Sequence, residues 1–243
     1  MLTLYGMSSP NVHKIILMLE ELELTYAFKF VDVWKGVQYS PEFRTLNPIG
    51  KVPVLVDSDC GAPEPCIVFE SGAILLHLAR KCGALLPSDP MAQSEAIQWL
   101  MVQLTGVGPM FGQLIHFHKY AEGEQPYSLA RYTAQAAVLY RHLDERLSKT
   151  PFLGGADYSI ADIATFPWIR SLARVVGSPA AFCRWSNPDF PHLWNWHDHI
   201  LQRPGTSRAL KFIDGIKSTI AEATDDGRDL FFRRGVFTDG RLP

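Results

Sequence analysis

Apolar Leu2 and Leu4 alternate with Thr3 and Tyr5, a period of two that predicts a strand over residues 2–5. The period lengthens in residues 11–23, where Ile15, Ile16, Leu19 and Leu22 recur at helical spacing. Tyr26, Phe28, Phe30 and Asp32 interleave with other residues over 26–33, which predicts a second strand, followed by a polar loop over 34–40. A helical turn is expected at 41–45. Strands follow at 52–56 and 66–69, joined through 57–65, whose Gly and Pro residues mark a hairpin connection. Residues 71–80 complete the series as a helix. The order β-α-β-α-β-β-α predicts an α/β, thioredoxin-like domain over residues 1–82.

The pattern then changes. Residues 83–90 form a linker with two prolines, Pro87 and Pro90. Helical periodicity runs from 91 to 104, on to about 119, and again over 127–148, so residues 91–218 are expected to be all α. Tyr158-Ser159-Ile160-Ala161-Asp162-Ile163 has the form of a capping box. Ser159 is expected to cap the Asp162 N–H, the Asp162 carboxylate to reach back to Ser159, and Tyr158 to staple against Ile163. A later helix is expected to present Trp194, His197 and Ile200 on one face and to stop at Arg203-Pro204-Gly205. Residues 219–243 form a tail, polar and then aromatic, with Phe231, Phe232 and Phe237, that is expected to drape over the body.

Composition narrows the function classes. The chain has 243 residues, 47% of them hydrophobic, and a formal charge of −2, with no concentrated basic field beyond the pair Arg233-Arg234. A nucleic-acid partner is therefore not expected. No apolar run approaches the roughly 20 residues of a membrane helix. The start of the chain reads directly as a strand, so a cytoplasmic location is expected. The four cysteines, Cys60, Cys66, Cys82 and Cys183, contain no C-x-x-C pair and read as buried or incidental thiols. His116 and His118, like His197 and His199, stand two apart on helices and diverge, so no metal site is expected.

Two segments carry candidate chemistry. In Asn47-Pro48-Ile49-Gly50-Lys51-Val52-Pro53-Val54-Leu55, a cis peptide at Val52-Pro53 would expose the Val52 backbone to an extended, peptide-like ligand. Glu70-Ser71 opens an apolar helical run, whose free N–H groups and positive dipole end suit a carboxylate. Together they point to glutathione. The first strand meets the first helix at Ser8-Ser9-Pro10-Asn11, where a thioredoxin-like redox protein normally has C-x-x-C. Any thiol chemistry there needs a sulfur from the ligand. Ser9 and Asn11 read either as helix caps or as donors that favour a thiolate. Tyr5 is a rival for thiol activation.

The N-P-x-G-K-V-P and E-S-x-A-I motifs, followed by an α half with the S-x-x-D box, resemble the cytosolic glutathione transferase superfamily over about residues 1–213. Ser8-Ser9-Pro10-Asn11-Val12-His13-Lys14, Gly36-Val37-Gln38 and Gly106-Val107-Gly108-Pro109-Met110 look like its Nu class, which includes bacterial disulfide-bond oxidoreductases. The resemblance implies catalytic roles for Ser9, standing where the class usually has Thr, and for Asn11. It also implies that Gln38, the Val52-Pro53 backbone, Glu70, Ser71 and Arg131 hold glutathione, reduced or oxidised, and that the protein is a homodimer. Lys51 reads as a partner of the glycyl carboxylate or as a solvated charge. Met110, Phe111 and Trp168 read as core or as the wall of a second-substrate pocket. The expected function is glutathione-dependent reduction of small disulfides. The alternatives are transfer to electrophiles, reduction of hydroperoxides, cleavage of aryl ethers, and a glutathione-binding regulatory module without catalysis.

Overall fold

The computed structural model describes residues 1–176 and 189–233; Cys183, Arg234 and Phe237 lie outside this range. The chain divides into two compact units, one made of residues 1–77 with those from 208 onward, the other of residues 78–207.

The first unit is built on a four-stranded sheet of order β2-β1-β3-β4, with strands β1 (Leu2–Gly6), β2 (Tyr26–Phe30), β3 (Val54–Asp57) and β4 (Cys66–Phe69). β1 runs parallel to β2 and antiparallel to β3, which is antiparallel to β4. Helix α1 (Pro10–Glu21) connects β1 to β2 and buries Val12 and Ile15 to Leu19. β2 is shorter than its alternating pattern predicts. Its partner ends at Gly6, which faces Phe30, and after a last bond from Val31 N to Gly6 O the strand has nothing left to pair with. β3 likewise begins at Val54, two residues late, because Pro53 has no N–H to give a ladder.

The segment read as a polar loop contains two 3-10 turns, Val33–Lys35 and Val37–Tyr39, and Trp34 is core. Trp34 joins Val31, Val33, Phe43 of α2 (Pro41–Leu46) and Val54 in one apolar cluster. The tail completes that cluster. Its last described helix (Asp225–Phe232) sets Phe231 and Phe232 at ring-centroid distances of 4.2 and 5.7 Å from Trp34. Thr219, ahead of it, donates to Asp32 Oδ1 at 2.8 Å. At Gly227 this helix approaches the Trp34 carbonyl so closely that a Cβ would collide with it. Gly227→Val is therefore expected to lift the tail from Trp34 at a cost of about 1–3 kcal/mol. Faster limited proteolysis within residues 219–233 is the readout, and a wild-type digestion pattern would contradict the packing.

Helix α3 (Ser71–Cys82) follows β4. The second unit contains α4 (Pro90–Val102), a π-helical turn (Gln103–Val107), α5 (Gly108–Lys119), α6 (Pro126–Leu147), α7 (Ile160–Val176) and α8 (Pro191–Leu201). α8 stops just ahead of Arg203-Pro204-Gly205, as that stop signal predicts, and Pro204 then opens α9 (Pro204–Asp214), in keeping with the preference of proline for a first helical turn. The π-helical turn carries the chain without a break from α4 to α5, where sequence periodicity predicts one continuous run. The capping box differs in one bond. Asp162 Oδ2 accepts from Ser159 N at 3.0 Å and from Ser159 Oγ at 3.1 Å, but the Ser159 hydroxyl accepts from Ala161 N rather than from Asp162 N. Tyr158 lies edge-on to Phe152 and under the Arg203 guanidinium. On α8 the buried stripe is Leu193, Trp196 and Ile200, one step from the predicted face, because the Trp196 indole N–H reaches Asp162 Oδ1 at 2.9 Å. No helix among the described residues is long and apolar enough to cross a membrane.

Candidate active site

The β1–α1 junction takes its shape from Gly6, where a Cβ would stand 2.6 Å from a Val12 methyl. Beyond it, Ser9 occupies the N-cap position of α1 with φ −150° and ψ 153°, yet its side chain makes no capping bond. The Ser9 carbonyl accepts from His13 N at 2.9 Å, while the neighbouring Ser8 hydroxyl is bonded to His13 Nε2 at 3.2 Å. Capping is thus not the use of the Ser9 hydroxyl. Asn11 lies half-buried in the first turn. The rival Tyr5 hydroxyl accepts from Lys29 Nζ at 3.3 Å. Met7 and Ser8 share a narrow cleft with Lys217, Ser218 and Thr219 of the tail.

The second segment is organised by Asn47, which is buried. Its amide donates to the Lys51 carbonyl at 2.8 Å and its Oδ1 accepts from Ile49 N at 3.0 Å, closing the turn before Val52. Gly50 has φ +68°, a conformation that favours glycine, and a side chain there would also strike Tyr39. The Val52-Pro53 peptide is cis. Lys51 is exposed and Val52 half-buried. Gln38 is buried, with its amide nitrogen donating to the Val33 carbonyl at 3.2 Å and its Oε1 lacking a partner among the described residues.

Register joins this segment to the third. Val54 pairs with Phe69, so the start of β3 and the end of β4 lie side by side, and Glu70-Ser71 emerges next to Val52-Pro53. Glu70 is exposed with φ 68°, a left-handed conformation costly for a residue with a Cβ. Its carbonyl accepts the first bond of α3, from Ile74 N at 3.0 Å. Ser71 is buried as the first residue of α3.

Sequence reasoning did not single out Lys14. It is 1% exposed, and its Nζ donates to Ser71 Oγ at 3.2 Å, which ties the helix bearing Asn11 to the start of α3. The available signal was a single cation inside the apolar run Val12 to Leu19. Burial brings its amine from 10.5 down to about 7, with the Glu70 charge opposing part of the fall. An unfolded chain keeps that proton up to its ordinary pKa. The unfolded state therefore binds more protons between about pH 7 and 10.5, so stability rises with pH in that window, while the full cost of the buried ammonium is present below it. Relative to Lys14→Met, the urea midpoint of the wild type is expected to climb from about pH 7 to about pH 10. A constant difference would contradict a buried, depressed amine.

Arg131 is exposed on α6 and Met110 half-buried on α5. Phe111 is fully enclosed, its ring 5.5 Å from that of Tyr140, and Trp168 is nearly buried against Gly108 and Gly112. A cavity of about 710 Å³ lies in the first unit, lined by Phe28, Phe30, Phe212, Ile216 and Thr219 among others. Phe30 and Thr219 also line the cleft at Met7 and Ser8.

The glutathione S-transferase N-terminal domain family matches residues 1–80, and the corresponding C-terminal domain family matches residues 126–199. The disulfide-bond oxidoreductase YfcG of Escherichia coli is 43% identical over 211 residues, covering 86% of this chain and 94% of that protein. A glutathione transferase from Pseudomonas putida, solved with one glutathione disulfide bound per subunit, superposes with TM-score 0.80 at 37% identity, over 86% of this chain and 90% of that one. The transferase URE2P6 of Phanerochaete chrysosporium, in complex with oxidised glutathione, gives TM-score 0.80 at 29% identity, over 89% and 97% of the two chains. With both domain families matched in order and a thioredoxin-like sheet followed by a helical region, this chain belongs to the glutathione S-transferase family.

Proposed function

We propose that the protein is a glutathione-dependent disulfide reductase of the Nu class. The observation that carries this reading is the Ser9 hydroxyl, placed at the N-terminus of α1 but not used to cap it, in a junction that has no cysteine. The residues around it fit glutathione. Gln38 offers a buried oxygen without a partner among the described residues, and Glu70 and Ser71 offer an exposed carboxylate and a hydroxyl at a helix start for the ammonium and carboxylate of the γ-glutamyl end. Because Lys14 donates to Ser71 Oγ, the Ser71 proton is free to point at that carboxylate. The Val52-Pro53 backbone holds the extended peptide and Lys51 the glycyl carboxylate. Arg131 is assigned to the same ligand by resemblance to the family.

Bound there, glutathione supplies a thiolate able to open a disulfide by exchange. The chain's own part is to make that anion stable. The Ser9 O–H and the Asn11 amide donate to the sulfur position, and the first N–H groups of α1 add their dipole. A homodimer and a cytoplasmic location belong to the same reading.

Transfer of glutathione to apolar electrophiles is the second reading, favoured by the phenylalanine-lined cavity that shares Phe30 and Thr219 with the cleft at Ser8. Turnover of hydroxyethyl disulfide against that of an aryl halide separates the two. The disulfide is expected to be the faster substrate, and preference for the halide overturns the first reading. Glu70→Gly separates binding from backbone strain. Glycine accepts the positive φ without cost, so above about pH 8, where Lys14 has lost its proton and no longer needs the Glu70 charge, stability should be unchanged or slightly raised, while KM for glutathione rises about tenfold through the lost ammonium partner. An unchanged KM removes Glu70 from the site.

A further inference from the structure

The β3–β4 hairpin brings together two thiols that their spacing in the chain does not link. Asp57 and Cys66 are register partners. Beyond Asp57 the chain bends back through a bond from Asp59 N to Asp57 Oδ1 at 3.0 Å. This return brings Cys60 to the start of β4, where the Cys66 side chain hydrogen-bonds its sulfur. Cys60 Sγ also reaches the Glu64 carbonyl at 3.7 Å, and both cysteines are partly exposed.

We propose that Cys60 and Cys66 form a redox-active dithiol that is oxidised to an intramolecular disulfide by small disulfides such as glutathione disulfide. In the first step the Cys60 thiolate attacks one sulfur of the small disulfide. A bond forms to Cys60, the small disulfide's S–S bond breaks, and one half leaves as a thiolate. In the second step Cys66 gives its proton to solvent and its sulfur attacks Cys60, expelling the other half as a thiolate. The protein has lost two electrons and two protons, and one small disulfide has become two thiols.

Cys60 is the attacking group. The hydrogen bond from Cys66, with the backbone N–H groups of Ala62 and Cys66, holds its thiol below the ordinary range, against the opposing effects of desolvation and, to a smaller degree, the charge of Asp57. Closing the bond requires the sulfurs to move from hydrogen-bond reach to about 2.05 Å. The hairpin can supply that movement, because residues 61–65 form no helix or strand and Gly61, at φ +79°, has open space around it. Cys66 is the first residue of β4, so adjustment there leaves the other sheet pairs in place. Ser9 and Asn11 take no part. A chain without cysteine at its β1–α1 junction thereby has a dithiol of its own.

The test is intact-mass and peptide mapping of the full chain after incubation with excess glutathione disulfide, for the wild type, Cys60→Ser, Cys66→Ser and Ser9→Ala/Asn11→Ala. The wild type is expected to lose two hydrogens, to yield a Cys60–Cys66 linked peptide, and to regain both thiols in dithiothreitol. Cys66→Ser should stop as a stable glutathione adduct on Cys60, Cys60→Ser should form no intramolecular disulfide, and the Ser9→Ala/Asn11→Ala variant should oxidise as the wild type does. A wild-type chain that keeps all its thiols, halts at the Cys60 adduct, or links either cysteine to Cys82 or Cys183 instead overturns the proposal. So does loss of oxidation in the Ser9→Ala/Asn11→Ala variant.

Discussion

Asp162→Ala is expected to remove a large share of the chain's folding stability. The Asp162 carboxylate is fully buried and accepts from Leu153 N at 2.8 Å, Ser159 N at 3.0 Å, Ser159 Oγ at 3.1 Å and Trp196 Nε1 at 2.9 Å. Burial pushes its pKa up, and the four donors oppose that shift. Truncation leaves four donors unpaired in a dry core, a loss of about 3–5 kcal/mol against a total stability of about 5–15 kcal/mol. Asp162→Asn sharpens the test, because its amide oxygen can still serve Leu153 and Trp196 and its NH2 can donate to the Ser159 hydroxyl, while that NH2 meets the Ser159 N–H head-on. Thermal melts should rank wild type above Asn and Asn above Ala. A Tm for Asp162→Ala within about 3 °C of the wild type would show that the box is dispensable.

The second large effect is kinetic. Removing both donors with Ser9→Ala/Asn11→Ala is expected to return the bound thiol from about pKa 6.5 to about 8.5, since each donor contributes roughly one unit. At pH 6 the thiolate fraction then falls about seventyfold. A more basic thiolate is more nucleophilic, with a Brønsted slope of about 0.4–0.5, which recovers about eightfold and leaves a net loss of about tenfold. Above about pH 8 the variant should equal or exceed the wild type, provided exchange itself limits turnover. The signature is thus a shifted pH profile of disulfide turnover, not a uniform loss. A pH-independent drop would mean that the two residues position the ligand without tuning its sulfur.

Much of this was legible in the chain because the signals are local. The strand at 66–69, the helix start at Ser71, the first helix to within a residue of its start, and the Ser159–Asp162 box each follow from neighbours within a few residues. The failures are tertiary. Trp34 reads as a loop residue because the rings that cover it come from the far end of the chain, in Phe231 and Phe232, over a cluster that also holds Val31, Val33, Phe43 and Val54. The length of β2 depended on where β1 stops. Lys14 gave only a charge out of place in an apolar run, and its bond to Ser71 spans 57 residues. Cys60 and Cys66 match no spacing motif; only the hairpin return makes them neighbours. Ser9 and Asn11 could be named from the sequence, but whether Ser9 caps its helix required the geometry.

The most direct measurement is the ultraviolet titration of the thiolate of enzyme-bound glutathione, in the wild type and in Ser9→Ala/Asn11→Ala. The wild-type complex is expected to titrate about two units below the free thiol at about 8.5, and the variant complex close to it. A wild-type complex that titrates like free glutathione, or a wild type and variant with the same midpoint, would contradict thiol activation by the β1–α1 junction.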